Sequence, residues 1–153
     1  MLPDFPKAVL PFLSRLGQLT SLGIHEFHYE NWQPLSSDVL DVFRTLPLLR
    51  LSLDYMVMTP GAIAALPTSL RYLRMNPTHG QADLSHPTVD TLDAVGLSFG
   101  MLAGLGAGSW PSLTRVRLSY EFDWTEEIEA ACRLRGIQGF HGDDDDWIPV
   151  DLS

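Results

Sequence analysis

The chain has 153 residues, of which 45% are hydrophobic and 19% are charged, a composition typical of one globular domain with a substantial core. Its net charge of −9 argues against general affinity for nucleic acid or anionic membranes, because phosphate binding depends on clustered lysine and arginine. We therefore expect neither nucleic acid nor a membrane among its partners.

The N-terminal residues lack the pattern of a secretory signal. Prolines at positions 3, 6 and 11, together with Asp4, leave no basic segment followed by an unbroken apolar run. Cys132 is the only cysteine, which excludes an intramolecular disulfide and agrees with a reducing compartment. These features favour an intracellular location, either cytoplasmic or nuclear.

The first predicted elements are a short helix and a strand. Apolar residues at helical spacing predict a helix over residues 9–16, which Gly17 ends. The next stretch, LTSLGIHEF (19–27), alternates apolar Leu22 and Ile24 with small or polar residues. This period of two is typical of a half-buried strand.

Two further helix and strand pairs follow in the same order. A helix is predicted over about residues 38–46, where Pro47 ends it, and LLRLSLDYM (48–56) forms the second strand. A shorter helix over residues 61–66 then leads to the strand LRYLRM (70–75). Both strands repeat the apolar spacing of the first.

The fourth unit fits more than one register. In one register Leu92, Val95 and Leu97 face the core, and in the other Val89, Leu92 and Ala94 do so, three positions earlier. A helix over residues 88–95 is a third possibility. The sequence leaves these alternatives open.

The fifth unit contains the strand LTRVRLSYEF (113–122) and a helix. Thr125 is a candidate N-cap for a helix over residues 126–134, and Gly136 marks its end. A last short strand is predicted over residues 137–140. The helix residues expected to face inward are Ile128, Ala131, Cys132 and Leu134.

The strand starts recur along the chain. Leu19, Leu48, Leu70, Leu92 and Leu113 are separated by 29, 22, 22 and 21 positions, on or near the period of leucine-rich repeats. We therefore predict an α/β leucine-rich-repeat solenoid of about five repeats over residues 1–142, with a curved parallel sheet on its concave side and helices and turns on its convex side. Residues 143–153 are predicted to be an acidic C-terminal tail.

The alternation of helix ends such as Leu46-Pro47, Leu66-Pro67 and Trp110-Pro111 with LxxLxL strands, followed by ACRLRGIQ (131–138), resembles the repeat region of fungal F-box-like leucine-rich-repeat proteins. The resemblance implies a substrate-recognition role in a ubiquitin-ligase adaptor that docks a Skp1-like linker through an N-terminal F-box. The residues before the first repeat are too few for an F-box. A Skp1-like partner is thus expected only if an F-box lies outside this chain.

The residues between the buried leucines are expected on the concave face, where arginines would gather. We define the arginine stripe as Arg50, Arg74, Arg115 and Arg117, four of the ten basic residues. Guanidinium groups bind carboxylates at two points, so an acidic protein partner is predicted. In the alternative, the arginines pair along the sheet with Asp54 or other acids and serve only the fold. The predicted partner-binding residues are Arg50, Asp54, Tyr72, Arg74, Arg115 and Arg117. In the later register, the fourth strand adds Ala94, Gly96 and Ser98 to this face.

The acidic run 143–146 is predicted to be a solvated tail, because contiguous like charges repel one another. In the alternative, the tail folds back onto the arginine stripe and Trp147 packs over the last repeat. No metal site is expected, since His25 and His28 lack further ligands at a suitable spacing. No cofactor and no catalytic residues are expected either, and Cys132 is predicted to be a buried packing residue.

The predicted function is therefore non-enzymatic protein binding through the concave strand face. The alternative is a structural fragment of a longer repeat protein without binding activity of its own. The uncharged run 94–114, with glycines four positions apart, is expected to be a packed repeat segment and not a membrane span.

Overall fold

The computed structural model describes residues 15–25, 37–54, 60–75, 85–94, 109–118, 124–142 and 145–152. In these ranges the chain is an α/β protein with one open, mostly parallel sheet of seven strands and three helices. The strands are β1 (Ser21–His25), β2 (Arg50–Asp54), β3 (Tyr72–Met75), β4 (Thr91–Ala94), β5 (Arg115–Leu118), β6 (Gln138–His141) and β7 (Ile148–Pro149). The helices are α1 (Ser37–Thr45), α2 (Pro60–Ala64) and α3 (Glu126–Arg135).

The strands lie in the sheet in the order in which they occur along the chain. Strands β1 to β6 are parallel to their neighbours, and β7 pairs with β6 in the antiparallel sense. The predicted strands in the first, second, third and fifth units and the last short strand are therefore confirmed. The predicted helix over residues 9–16 lies almost entirely outside the described residues.

One face of the sheet forms the core. Leu51, Leu73, Leu92 and Val116 stand in register on successive strands, and all four are fully buried. A second buried row lies two residues further along each strand. Its members are Leu53, Met75, Ala94 and Leu118. Burial of each large aliphatic side chain contributes roughly 1.5–3 kcal/mol, so this face supplies much of the stability.

The connections between strands repeat one hydrogen-bonding pattern. The carbonyl oxygens of Leu49, Arg71 and Asp90 each accept from two consecutive amides at the start of the next strand, at 2.8–3.0 Å. Hydroxyl groups that precede the strands add a second repeated contact. Ser69 donates to the carbonyl of Leu48 and Thr88 to that of Leu70, at 2.7 and 2.8 Å. Each unit is thus anchored to the one before it.

Helix α3 has the ends that the sequence predicts. The Thr125 hydroxyl accepts from the amide of Ile128 at 3.3 Å, and Gly136 ends the helix with a left-handed φ of 69°. Ile128 and Cys132, four residues apart, face the core as expected. The prediction for Leu134 is wrong, because its side chain is 85% exposed. Leu134 lies two residues after Cys132, which places it on the opposite side of the helix.

The fourth strand follows the earlier of the two registers. Val89, Leu92 and Ala94 are fully buried, as this register requires. Residues 91–94 form a strand, so the alternative of a helix over residues 88–95 is wrong for them. The predicted outward position of Ala94 is therefore wrong, and Gly96 and Ser98 lie outside the described residues. The register places Asp93 on the opposite face of the sheet, in line with Arg74 and Arg117.

Residues 145–152, here called the C-terminal segment, return to the sheet. The amide of Val150 donates to the carbonyl of Gly139 at 2.9 Å, next to the pairing of β7 with β6. Gly142 has a φ of 156°, and a Cβ at this position would overlap the carbonyl oxygen of Asp146. Asp145 and Asp146 are exposed, as expected for solvated acids, whereas the packing of Trp147 on Arg117 and Phe140 agrees with the fold-back alternative for this segment. The domain boundary at residue 143 stays a prediction.

Within the described ranges, no helix is both long enough and apolar enough to cross a membrane. Most of the uncharged run 94–114, residues 95–108, falls outside those ranges.

Candidate functional site

The face of the sheet opposite the core carries two rows of mostly polar side chains, which we call the polar face. Because neighbouring strands are in register, side chains at matching positions form lines across the sheet. The first row is Ser21, Arg50, Tyr72, Thr91, Arg115 and Gln138. The second row is Gly23, Ser52, Arg74, Asp93, Arg117 and Phe140.

Asp93 and Arg117 form a buried ion pair at the centre of the polar face. Arg117 Nε donates to Asp93 Oδ1 at 2.9 Å, and Nη2 donates to Oδ2 at 2.6 Å. Both residues are only 1% exposed. Two parallel charge-assisted hydrogen bonds of this kind are the strong form of an arginine and carboxylate contact. Arg117 is therefore occupied by the protein itself and does not face solvent.

Asp93 also receives contacts from the other side, on β3. The Tyr72 hydroxyl donates to Asp93 Oδ2 at 2.6 Å, and Arg74 Nη1 lies 3.8 Å from the same oxygen. Burial, together with the hydrogen bond and the negative charge of Asp93, raises the pKa of Tyr72 far above its ordinary value. Tyr72 is thus held as a neutral hydrogen-bond donor, and one carboxylate joins strands β3, β4 and β5.

Trp147 of the C-terminal segment lies over the β5 and β6 part of the polar face. Its ring is 4.3 Å from the Arg117 guanidinium carbon and packs edge-on against Phe140, with ring centres 5.4 Å apart. The third nitrogen of Arg117, Nη1, donates to the carbonyl of Asp146 at 2.7 Å. All three guanidinium nitrogens of Arg117 therefore have protein acceptors.

Arg50 and Arg115 differ from Arg117 because their side chains are exposed. The Arg50 guanidinium lies over the Tyr72 ring, 4.1 Å from its centre. The Arg115 guanidinium lies 5.0 Å from the centre of the Phe140 ring and 5.2 Å from that of Trp147. Among the described residues, neither guanidinium has a carboxylate partner. Stacking on aromatic rings orients the two cations while leaving their hydrogen-bond donors available.

Four of the predicted partner-binding residues meet around one pocket of about 290 Å3, namely Arg50, Tyr72, Arg74 and Arg117. The C-terminal segment closes one side of it with Asp145 and Trp147. Arg115 does not line this pocket. The backbone of Asp54 ends β2, but its side chain lies outside the described part of the structure, as does that of His25, and His28 is also outside.

Comparisons of the chain with protein-family models, with curated proteins and with solved structures found no match. In the ranges that the structure describes, no three residues among histidine, cysteine, aspartate and glutamate are grouped so that they could hold a metal ion.

Sequence reasoning missed Asp93 as a member of this surface. Its signal was the earlier register of the fourth strand, which puts an acid in line between Arg74 and Arg117. The alternation in β1 predicts the correct face for Gly23, but it does not predict that Gly23 lines a pocket. The contact of Trp147 with the arginines was foreseen only as an alternative.

Proposed function

We propose that the chain is a leucine-rich-repeat solenoid that binds a protein partner through its polar face, without enzymatic activity. The solenoid is supported by the sequential strand order and by the repeated hydrogen bonds between units. The equivalent residues Leu19, Leu48, Leu70, Val89 and Leu113 are separated by 29, 22, 19 and 24 positions. These spacings fall on or close to the period of leucine-rich repeats.

The observation that carries the binding proposal is the difference between Arg50 and Arg115 on one side and Arg117 on the other. The protein neutralises Arg117 with Asp93 but leaves Arg50 and Arg115 exposed on aromatic rings. The chain as a whole has a net charge of −9, so acids are abundant, yet none of the described ones pairs with these two arginines. Arginine and tyrosine are among the residue types enriched in protein-binding hot spots.

The register also sets the geometry of the partner. Arg50 and Arg115 occupy the same row on β2 and β5, three strands apart. Neighbouring strands are about 4.8 Å apart, which places their backbones roughly 14 Å from each other. An extended peptide advances about 3.3 Å per residue, so acids about four positions apart match this separation. The expected partner is an acidic segment that crosses the strands.

The proposal can be tested by selecting binders from a random peptide library displayed on phage against the immobilised protein. Selected peptides should carry acids about four positions apart, and fluorescence anisotropy gives their affinity. Arg50→Glu with Arg115→Glu should weaken binding at least tenfold, since hydrogen bonds to charged groups contribute about 1.5–3 kcal/mol each. Arg15→Glu with Arg133→Glu changes the net charge equally at exposed positions off the polar face and should have little effect.

Equal weakening by both pairs of substitutions would mean that the peptides respond only to the overall charge. Selection of peptides without acids would contradict the proposal. Binding should also weaken as salt concentration rises, because exposed charges are screened.

A structural role for the polar face is the second candidate, and one observation favours it. Asp93 pairs with Arg117 and lies against Arg74, as expected if the arginines serve mainly to hold neighbouring strands. Under this alternative the chain is a structural part of a longer repeat protein. Such a fragment should self-associate through an uncovered end, whereas a monodisperse monomer in light scattering would count against it.

The resemblance to fungal F-box-like proteins extends the first candidate. If an F-box lies outside this chain, the acidic partner is the substrate of a ubiquitin-ligase adaptor that also binds a Skp1-like linker.

A further inference from the structure

The pocket on the polar face lies between strands β1 to β3 and the C-terminal segment. Small residues of β1 and β2 line it, among them Gly23 and Ser52, and large side chains contribute from Arg50, Arg74 and Trp147. Its volume of about 290 Å3 is at the lower limit of pockets that enclose small molecules. This size suits one side chain of a bound peptide better than a large cofactor.

Gly23 keeps the pocket open at its β1 side. Among the described residues, a Cβ at this position would meet Ser52 Cβ at an ordinary contact distance of 3.8 Å, so these residues leave room for a side chain. Glycine inside a strand costs about 0.5–1 kcal/mol relative to alanine, and it often marks a bulge, a bend, or a place where a ligand or another backbone approaches closely. Gly23 therefore lowers the stability of strand β1 and leaves space above it.

The charges around the pocket favour an anion. Three arginines line it, Arg50, Arg74 and Arg117; of the described carboxylates, Asp145 lies at the pocket and Asp93 pairs with Arg117. Among the described residues Arg50 has no carboxylate partner, on a chain with a net charge of −9. A single negative group can pair with Arg50, and a second would face Asp145.

Two aromatic rings form part of the pocket wall. Trp147 and Tyr72 both line it, with their ring centres 6.5 Å apart. Contact with apolar rings lowers the effective dielectric constant, and hydrogen bonds between guanidinium groups and an oxyanion are stronger in such surroundings. The arrangement thus combines a charged anchor with two aromatic rings.

We propose that the pocket bounded by Gly23, Arg50, Arg74 and Trp147 binds one oxyanion, the carboxylate or phosphate of a single side chain in the peptide partner. This proposal rests on the proposed function and names the group that the polar face recognises near Arg50. Arg50 is the residue that contacts the oxyanion. Trp147 packs against the aliphatic part of the same side chain.

The test uses the full chain labelled with 15N and three capped pentapeptides, each with glycine on both sides of one central residue. The central residue is glutamate, phosphoserine or serine. Addition of the glutamate or phosphoserine peptide should shift the NMR signals of the Gly23 amide and the Trp147 indole. Because one oxyanion contact is a small part of a whole interface, we expect a Kd of about 1 mM. The serine peptide should cause no shift.

Two variants connect these shifts to the pocket. Arg50→Gln should weaken binding about tenfold, because it removes charge-assisted hydrogen bonds from an exposed residue without affecting the core. Gly23→Leu should abolish binding by filling the pocket, and the NMR spectrum itself reports whether the variant is folded. Gly61→Ala in α2 is the matched glycine control and should bind like the original chain.

Shifts with the glutamate peptide alone identify a carboxylate as the ligand, and shifts with phosphoserine alone identify a phosphate. Shifts with both support a site for either oxyanion. Equal shifts with the serine peptide, or no shift with any peptide, would overturn the proposal. The proposed function would still stand in that case if selected acidic peptides lose affinity in the Arg50 and Arg115 variant.

Discussion

Asp93 and Arg117 lie opposite each other on neighbouring parallel strands and are joined by two hydrogen bonds of 2.9 and 2.6 Å. Taking both charges out of water is costly, and their mutual attraction offsets this cost only while both partners remain. The pair also fixes the register, because a shift of one residue would move Asp93 to the apolar face. The position of Asp93 in β4 thus helps to determine how β4 and β5 pair.

Replacement of Asp93 by asparagine should strongly destabilise the fold. The variant leaves the Arg117 charge buried without a counter-charge, and loss of one partner from a buried pair costs about 3–5 kcal/mol. Urea unfolding followed by circular dichroism measures the change. Asp90→Asn is the matched control, because the Asp90 side chain accepts only from the Thr91 hydroxyl among the described contacts, at 2.8 Å. Its expected cost is about 1 kcal/mol.

The interpretation of the ion pair would be wrong if Asp93→Asn and Asp90→Asn had equal effects. Salt offers a second check, since a buried pair is screened much less than an exposed one. The difference between the two variants should therefore persist in 0.5 M salt, about five times the ionic strength at which the Debye length is 10 Å.

The strands and α3 could be predicted because their signals are local. Alternation of Leu51 and Leu53 with polar neighbours determines which face of β2 is buried, and Thr125 and Gly136 mark the ends of α3. The fourth strand could not be settled in this way, since both registers offer three apolar residues. In the observed register Asp93 pairs with Arg117, a contact between distant positions that the local pattern does not reveal.

The position of the C-terminal segment depends on contacts that sequence spacing does not reveal. Contiguous acids in the run 143–146 favour solvation, and this local rule predicts a free tail. Trp147 changes the outcome by packing against Phe140 and against Tyr72, which lies 75 positions earlier in the chain. Part of the candidate site was therefore predictable only as an alternative.

Stability should fall as the pH drops below about 6.5, because His86 is buried in its neutral form. His86 Nε2 donates to the Leu66 carbonyl at 3.1 Å, and Nδ1 accepts from the Thr88 amide at 3.3 Å. Burial, the main cause, lowers the pKa of His86. The unfolded chain then binds a proton at a pH where the folded chain does not, so acid favours unfolding.

The expected slope for this single proton is at most about 1.4 kcal/mol per pH unit. Other groups titrate in the same range, so thermal melting should be compared between the original chain and His86→Gln from pH 8 to pH 5. The glutamine amide can still donate to the Leu66 carbonyl but does not titrate. If both proteins lost stability with the same slope, His86 would not be the group responsible.

Gly136→Ala should destabilise the chain by about 1 kcal/mol, because Gly136 has a φ of 69° and a Cβ is disfavoured in this conformation. Gly61→Ala should have the opposite effect. Gly61 lies in α2, where a Cβ meets nothing within 4 Å and alanine favours the helix by about 0.5–1 kcal/mol. Differential scanning calorimetry measures both changes. Destabilisation by both substitutions would contradict the expected sign.

Trp147→Ala should cost about 1–3 kcal/mol, because the ring covers Arg117 and packs against Phe140. Guanidinium chloride unfolding provides the measurement. Trp147→Phe retains an aromatic ring and should recover part of the loss. Leu134→Ala removes an apolar side chain that is 85% exposed, so a cost below about 0.5 kcal/mol is expected. A Trp147→Ala cost as small as that of Leu134→Ala would show that the segment contributes nothing.

Strand β7 affects whether other copies of the chain can add strands to this edge of the sheet. A parallel sheet that ended at β6 would present unpaired amide and carbonyl groups, a template on which strands of other molecules could add. Instead, β7 pairs with β6 over only two residues, and Pro149 has no amide hydrogen to donate. A short edge with a proline is a poor template for further pairing. The chain thus resists fibril growth from this edge.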